Sequence, residues 1–163
     1  MDIGDAIDKN YARLERQLME VAEAMPADRY SFRPTPQTRS FGEQLRHIGA
    51  LQWVVGAGLL SEHPPVDVGD GDSGPLSMTS KPEIVKYILD SFSYLRGAIK
   101  LIDKSNALEL IPHPFDPRNT RTERLALIVA YASHGWEHYG QMVVYQRINC
   151  RTPYLEARPG ERT

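Results

Sequence analysis

Cysteine is almost missing from this sequence: Cys150 stands alone in 163 residues. A lone thiol closes no internal bridge, which removes the disulfide-stapled secreted scaffolds and suits a reducing, cytoplasmic setting. An excess of one charge is missing as well. Lys and Arg number 19 against 21 Asp and Glu, a formal net charge of -2, and the basic residues are scattered. That pattern marks neither a phosphate backbone nor an anionic membrane surface as partner, so no nucleic acid and no membrane is expected. No apolar run reaches the roughly 20 residues of a spanning helix. The opening Met1-Asp2-Ile3-Gly4-Asp5 is acidic where a signal peptide is basic and then apolar. Alternating strand-type runs and internal repeats are lacking too.

Helical periodicity is what the chain does have. From Asp5 to Met25 apolar residues recur at Ile7, Tyr11, Leu14, Leu18, Val21 and Met25, in steps of four and three that make an amphipathic helix closed by Pro26. Residues 27–39, with Pro34 and Pro36, read as an extended connection. Ser40 and Glu43 form a capping box ahead of Phe41, Leu45, Ile48, Leu51, Val55 and Leu59, a second helix ending near Leu60. Residues 61–80 are rich in Gly, Asp and Pro and long enough to cover a site. Ser80, Pro82 and Glu83 open a third helix carried by Val85, Ile88, Leu89, Phe92, Leu95, Ile99 and Ile102 to about Lys104. Beyond Pro112, Pro114 and Pro117, Thr120 and Glu123 cap a fourth helix expected over Arg121 to about Asn149. The prediction is an all-α fold: one four-helix bundle domain with long connections over 1–163, its residues 155–163 a flexible tail.

The fourth helix carries Ser133-His134-Gly135-Trp136-Glu137-His138-Tyr139-Gly140-Gln141 inside an apolar stretch. His134 and His138 lie one turn apart on one face, about 5–6 Å apart at Cβ. His47 falls mid-way along the second helix, on a face shared with Glu43, Leu51, Val54 and Gly58 that points inward. Bundles build metal sites between facing helices, so His47, His134 and His138 are the candidate ligands of one divalent ion. Three neutral imidazoles suit zinc or nickel, with iron as a further option, and leave coordination open for water or substrate. Plain packing is the competing reading, with a lone core histidine at 47 and a hydrogen-bonded pair at 134 and 138. Gly135 and Gly140, unfavourable within a helix, serve either close helix packing or a substrate. Gln141 is placed to orient bound water or a ligand ring, and Glu137 either supports the ligands or is simply solvated.

Other patterns carry less. His134, Glu137 and His138 spell the inverted zinc-protease signature, yet only Glu156 and Glu161, both in the tail, follow as acidic ligands. Asp70 and Asp72 begin a calcium-loop pattern that Gly74, Pro75 and Lys81 break. His63 and His113 are flanked by prolines and read as loop histidines, and Cys150 at the negative end of a helix is disfavoured as a nucleophile. No residue identifies itself as a general base, so catalytic groups stay unassigned. The back of the fourth helix, at Leu125, Val129, Ala132, Trp136 and Val143, needs cover from a symmetric partner or from a side wall of the bundle.

Tyr30-Ser31-Phe32-Arg33-Pro34-Thr35-Pro36, then Arg39-Ser40-Phe41-Gly42-Glu43-Gln44-Leu45 leading to His47, with His134, His138, Gly140-Gln141, Tyr145 and Pro153, run through almost the whole chain. This set resembles the DinB-like family of bacterial metal-binding four-helix bundles. The resemblance implies a divalent ion on His47, His134 and His138, a homodimer and a bacterial cytoplasm. Some relatives are transferases or isomerases that use low-molecular-weight thiols such as bacillithiol or mycothiol. The expectation is therefore a metal-dependent enzyme, a thiol S-transferase or hydrolase that activates a thiol or water toward a small substrate. A non-catalytic metal-binding or stress-response protein is the alternative.

Overall fold

The computed structural model describes residues 2–149 apart from 71, 117 and 119, so Cys150, Pro153 and the expected tail lie outside the described residues. Four helices dominate: α1 (Ile3–Ala24), α2 (Phe41–Leu60), α3 (Lys81–Ile99) and α4 (Arg124–Ile148). A short 3-10 turn at Ala27–Arg29 follows α1, and a two-stranded ribbon, β1 (Leu110–Pro112) with β2 (Arg121–Glu123), precedes α4. Around the bundle the helices neighbour one another in the order α1, α3, α2, α4, so α2 and α4 share a face. The fold is all-α, as the periodicity predicts.

Capping sets where the helices begin. Ser40 Oγ accepts from the Glu43 amide while the Glu43 carboxylate accepts from the Ser40 amide at 2.6 Å, the expected box at the start of α2. A second box, unread in the sequence, starts α1 two residues early: Asp2 accepts from the Ile3 amide at 2.7 Å and Asp5 from the Asp2 amide at 3.3 Å. The α2–α3 seam is cut to fit two rings. Gly49 and Gly56 lie two turns apart on α2, and a Cβ at either would stand 2.8 Å from the ring of Tyr87 or Tyr94, themselves two turns apart on α3. Trp53 fills the interval, 4.7 Å from Tyr94 between ring centroids.

Two expected boundaries need correction. The fourth helix starts at Arg124, because residues 121–123 pair antiparallel with 110–112 and Ile111, on that ribbon, is buried in the core. Thr120, expected to cap α4, instead donates to Asp116 at 2.6 Å and closes the turn of the ribbon. The third helix stops at Ile99 rather than Lys104. Leu101 and Ile102 turn back with bonds to Ala98 and Ile99, which carries the Ile102 carbonyl to the Gly4 amide at 2.9 Å.

That junction gives a sharp prediction. A Cβ on Gly4 would stand 2.6 Å from the Ile99 carbonyl oxygen and 2.8 Å from that of Ile102, main-chain atoms that cannot swing aside. Overpacking of this kind costs about 1–3 kcal/mol. Gly4→Ala is expected to lower stability by that amount in urea unfolding, although alanine is the better helix former.

Candidate metal centre

The shared face of α2 and α4 brings three imidazoles together. His47 comes from the middle of α2 at 3% exposure, His138 from α4 at 6%, and His134, one turn earlier on α4, is half-buried. His134 Nε2 lies 3.0 Å from His138 Nε2 and 3.3 Å from His47 Nε2, and one candidate ligand atom from each ring falls within 4.8 Å of the others. Ligands at 2.0–2.1 Å from a tetrahedral ion stand roughly 3.3 Å apart, so the spacing suits a single cation.

The outward nitrogens are held by other residues. His138 Nδ1 donates to Gln44 Oε1 at 2.5 Å, and His47 Nδ1 donates to the Asp72 carbonyl at 2.5 Å with the Asp72 carboxylate 3.1 Å away. Both acceptors fix the Nδ1–H tautomer, which turns the Nε2 lone pairs of His47 and His138 toward His134. A proton on His134 Nε2 can satisfy only one of them. A cation satisfies all three, and this donor set therefore fits a metal ion.

Gln44 and Asp72 belong to one network. The Gln44 amide donates to Gln141 Oε1 at 2.9 Å and more weakly to the Tyr145 hydroxyl, which donates to the Arg39 carbonyl at 2.8 Å. The Arg39 guanidinium then grips the Asp72 carboxylate at 2.5 Å. Arg39 thus ties together the supports of the two most buried histidines.

Electrostatics favour neutral rings. Burial holds the pKa of all three histidines below the ordinary value, and their mutual proximity adds to it at His134 and His138, with His138 pushed down to about 3. Ligands that are already deprotonated near neutrality take a metal without first losing protons.

The sequence pattern of the DinB superfamily matches residues 10–142. The chain belongs to the DinB superfamily. A solved DinB-like protein from Bacillus cereus superposes with a TM-score of 0.73 at 15% identity, over 97% of each chain. A conserved protein from Enterococcus faecalis does so with a TM-score of 0.73 at 14% identity, over 91% of this chain and 97% of its own. No curated protein sequence matches. At such identities the likeness carries the fold and not a reaction.

Other residues singled out in this DinB superfamily member fall into place around the centre. Gln141 holds Gln44 rather than facing the histidines freely, and Glu137 is exposed. Gly135 answers to packing, since a Cβ there would meet Leu14 Cδ2 of α1 at 2.6 Å, whereas a Cβ on Gly140 meets nothing within 4 Å. His63 is exposed, and His113 Nδ1 accepts from the Phe115 amide, so neither joins the cluster. Asp70 folds the loop, accepting from the amides of Asp72 and Ser73. Sequence reasoning missed the roles of Gln44 and Asp72. Gln44 lies three residues before His47, and a polar residue one turn from a ligand on an inward face was the signal available.

Proposed function

We propose that this protein is a metal-dependent enzyme in which His47, His134 and His138 hold one divalent ion, zinc or nickel with iron as a further option. The observation that carries the reading is the convergence of three Nε2 atoms whose two most buried rings are locked into the ligating tautomer by Gln44 and Asp72. A divalent ion bound there supplies Lewis acidity, easing ionisation of a thiol or water and polarising a small electrophile. His134, the least buried of the three, marks the side open to a substrate. Tyr131 flanks it at 6.0 Å between ring centroids and stacks on Phe115 at 5.1 Å, an aromatic wall on that side. Burial raises the Tyr131 phenol to about 12, so it stays protonated and able to donate.

The co-substrate class we favour is a low-molecular-weight thiol of the bacillithiol or mycothiol kind, with a homodimer as the working form in the cytoplasm. On α4 Leu125, Ala132, Trp136 and Val143 rest partly buried against the core, which leaves Val129, Val144 and Ile148 as the exposed apolar stripe for a partner copy. Light scattering at micromolar concentration is expected to give twice the chain mass; a monomer mass rejects the dimer.

Turnover tests the reading. Bacillithiol, coenzyme A and simple esters are offered with and without added zinc or nickel, and a metal-dependent rate above buffer is expected. Rates equal to buffer for every substrate would favour the non-catalytic metal-binding reading. The supports are testable separately. Gln44→Leu is expected to weaken metal affinity about 10–100-fold. Asp72→Asn should weaken it less, because the shorter bond from His47 goes to the main-chain carbonyl, which the substitution keeps. Calorimetric titration of zinc into the metal-free variants measures both.

A further inference from the structure

Arg46 is a charge that the metal centre leaves unused. It precedes His47 on α2 and is only 7% exposed. Its Nη1 donates to the Pro75 carbonyl at 2.9 Å, while its Nε is shut from solvent with no hydrogen-bond partner. Among the described residues no carboxylate pairs with it, although its two arginine neighbours are both paired. A guanidinium cannot shed its proton to relieve burial, so an unmatched one signals a missing counter-ion.

The surroundings are those of an anion site. Arg46 lines a cleft of about 270 Å³ with Arg33, Arg39, Glu43, Thr38 and Ser73. Glu43 accepts from Arg33 at 3.0 and 3.1 Å and Asp72 from Arg39 at 2.5 Å, which leaves Arg46 as the one of these three arginines with no carboxylate partner among the described residues. The loop that walls this cleft also serves the histidines. Gly74 lies against the Arg46 backbone at a left-handed φ of 69°, where a Cβ would stand 2.9 Å from the Arg46 carbonyl oxygen, and the carbonyl of Asp72, two residues before it, accepts the hydrogen bond from His47 Nδ1. Cleft and metal centre are thus separated by one ion pair, Arg39 with Asp72.

We propose that this cleft binds an oxyanion, the carboxylate or phosphate group of the small molecule used at the metal centre, with Arg46 as its counter-ion and Arg33 and Arg39 at its rim. Paired guanidinium groups at the rim keep donors in place, and the fork geometry of arginine matches planar and tetrahedral oxyanions. The anion's role as part of a substrate rests on the reading of the metal centre given above; the binding itself does not.

The test uses the full chain, metal-free and zinc-loaded, titrated calorimetrically with inorganic phosphate and with malonate against chloride at fixed ionic strength. One saturable anion per chain is expected in both forms. Tighter phosphate binding points to a phosphate-bearing ligand and tighter malonate binding to a carboxylate-bearing one. The affinity is expected to fall about tenfold or more in Arg46→Gln and by a smaller factor in Arg33→Gln, as charge-assisted bonds are removed. Arg33 is exposed, so its variant serves where Arg46→Gln fails to unfold cooperatively. No saturation with either anion, or affinity unchanged in Arg33→Gln and in folded Arg46→Gln, overturns the proposal. His138→Ala without metal separates the two readings, since anion binding should persist there even if no ion is ever held by the histidines.

Discussion

His138→Ala is expected to empty the protein of metal: about one ion per chain in the wild type, and close to none in the variant after dialysis against buffer without chelator. His138 is the right residue to remove because it is fixed on both sides, by Gln44 at Nδ1 and by the His134 contact at Nε2. Loss of one of three ligands takes away a large share of a binding energy that for structural zinc sites is on the order of 10 kcal/mol, so a fall in affinity of at least about a thousandfold is expected. The fold should survive. The bundle core is built from residues such as Leu14, Leu45, Phe92 and Ile128, and helicity by circular dichroism is expected to stay unchanged. His63→Ala is the control, because His63 is exposed and outside the cluster. Elemental analysis that found equal metal in wild type, His138→Ala and His63→Ala would leave the three imidazoles as core packing.

How far the sequence already held this site depends on which bonds make it. The three histidines were legible because each sits on a long helix whose apolar period fixes its inward face, and period survives errors at helix ends. His134 and His138 fall on the face that α4 turns toward His47 although α4 begins at Arg124, three residues later than expected. The ribbon was not legible. Leu110–Pro112 and Arg121–Glu123 are three residues each, too short for alternation to show, and Thr120 with Glu123 imitates a helix cap. The supports of the site were hidden for a different reason. Asp72 lies in the long loop, and its approach to His47 depends on left-handed backbone at Gly69 and Gly74 and on the Asp70 turn, none of which has a period to read. Gln44 sits on the second helix beside residues already assigned to capping, and only the packing of α2 against α4 turns it toward His138. Arg46 carries the same lesson in reverse. A charged residue next to an inward histidine reads as solvent-facing, yet the loop folds over it and buries it.

The second large effect is on acid stability of the metal-free protein. His138 has a folded-state pKa of about 3, below the ordinary histidine value near 6.5 that the unfolded chain shows. Between those values the unfolded state takes up a proton that the folded state refuses. Stability is therefore complete above pH 6.5 and declines as pH falls toward 3, at about 1.4 kcal/mol per pH unit for this one group, or about 2 kcal/mol by pH 5. His47 and His134 are lowered in the same direction by the same burial and steepen the slope. Carboxylates cannot account for a loss in this window. Asp8, beside Arg96, and Glu43, in its capping box, also have lowered folded-state values, so their contribution is present above the ordinary carboxylate range and is lost only at more acid pH. Urea unfolding with chelator at pH 7.5, 6.0 and 5.0 is expected to show the decline, and His138→Met, which cannot titrate, to show a shallower one. A flat profile from 7.5 to 5.0 would mean that these rings reach solvent freely and are not held as neutral ligands. Bound zinc should deepen the contrast, because it adds stability where the rings are neutral in the folded state and is released as protons compete for the same nitrogens. The loaded protein is thus expected to gain most at pH 7.5 and least at the acid end, a dependence that packing alone does not produce.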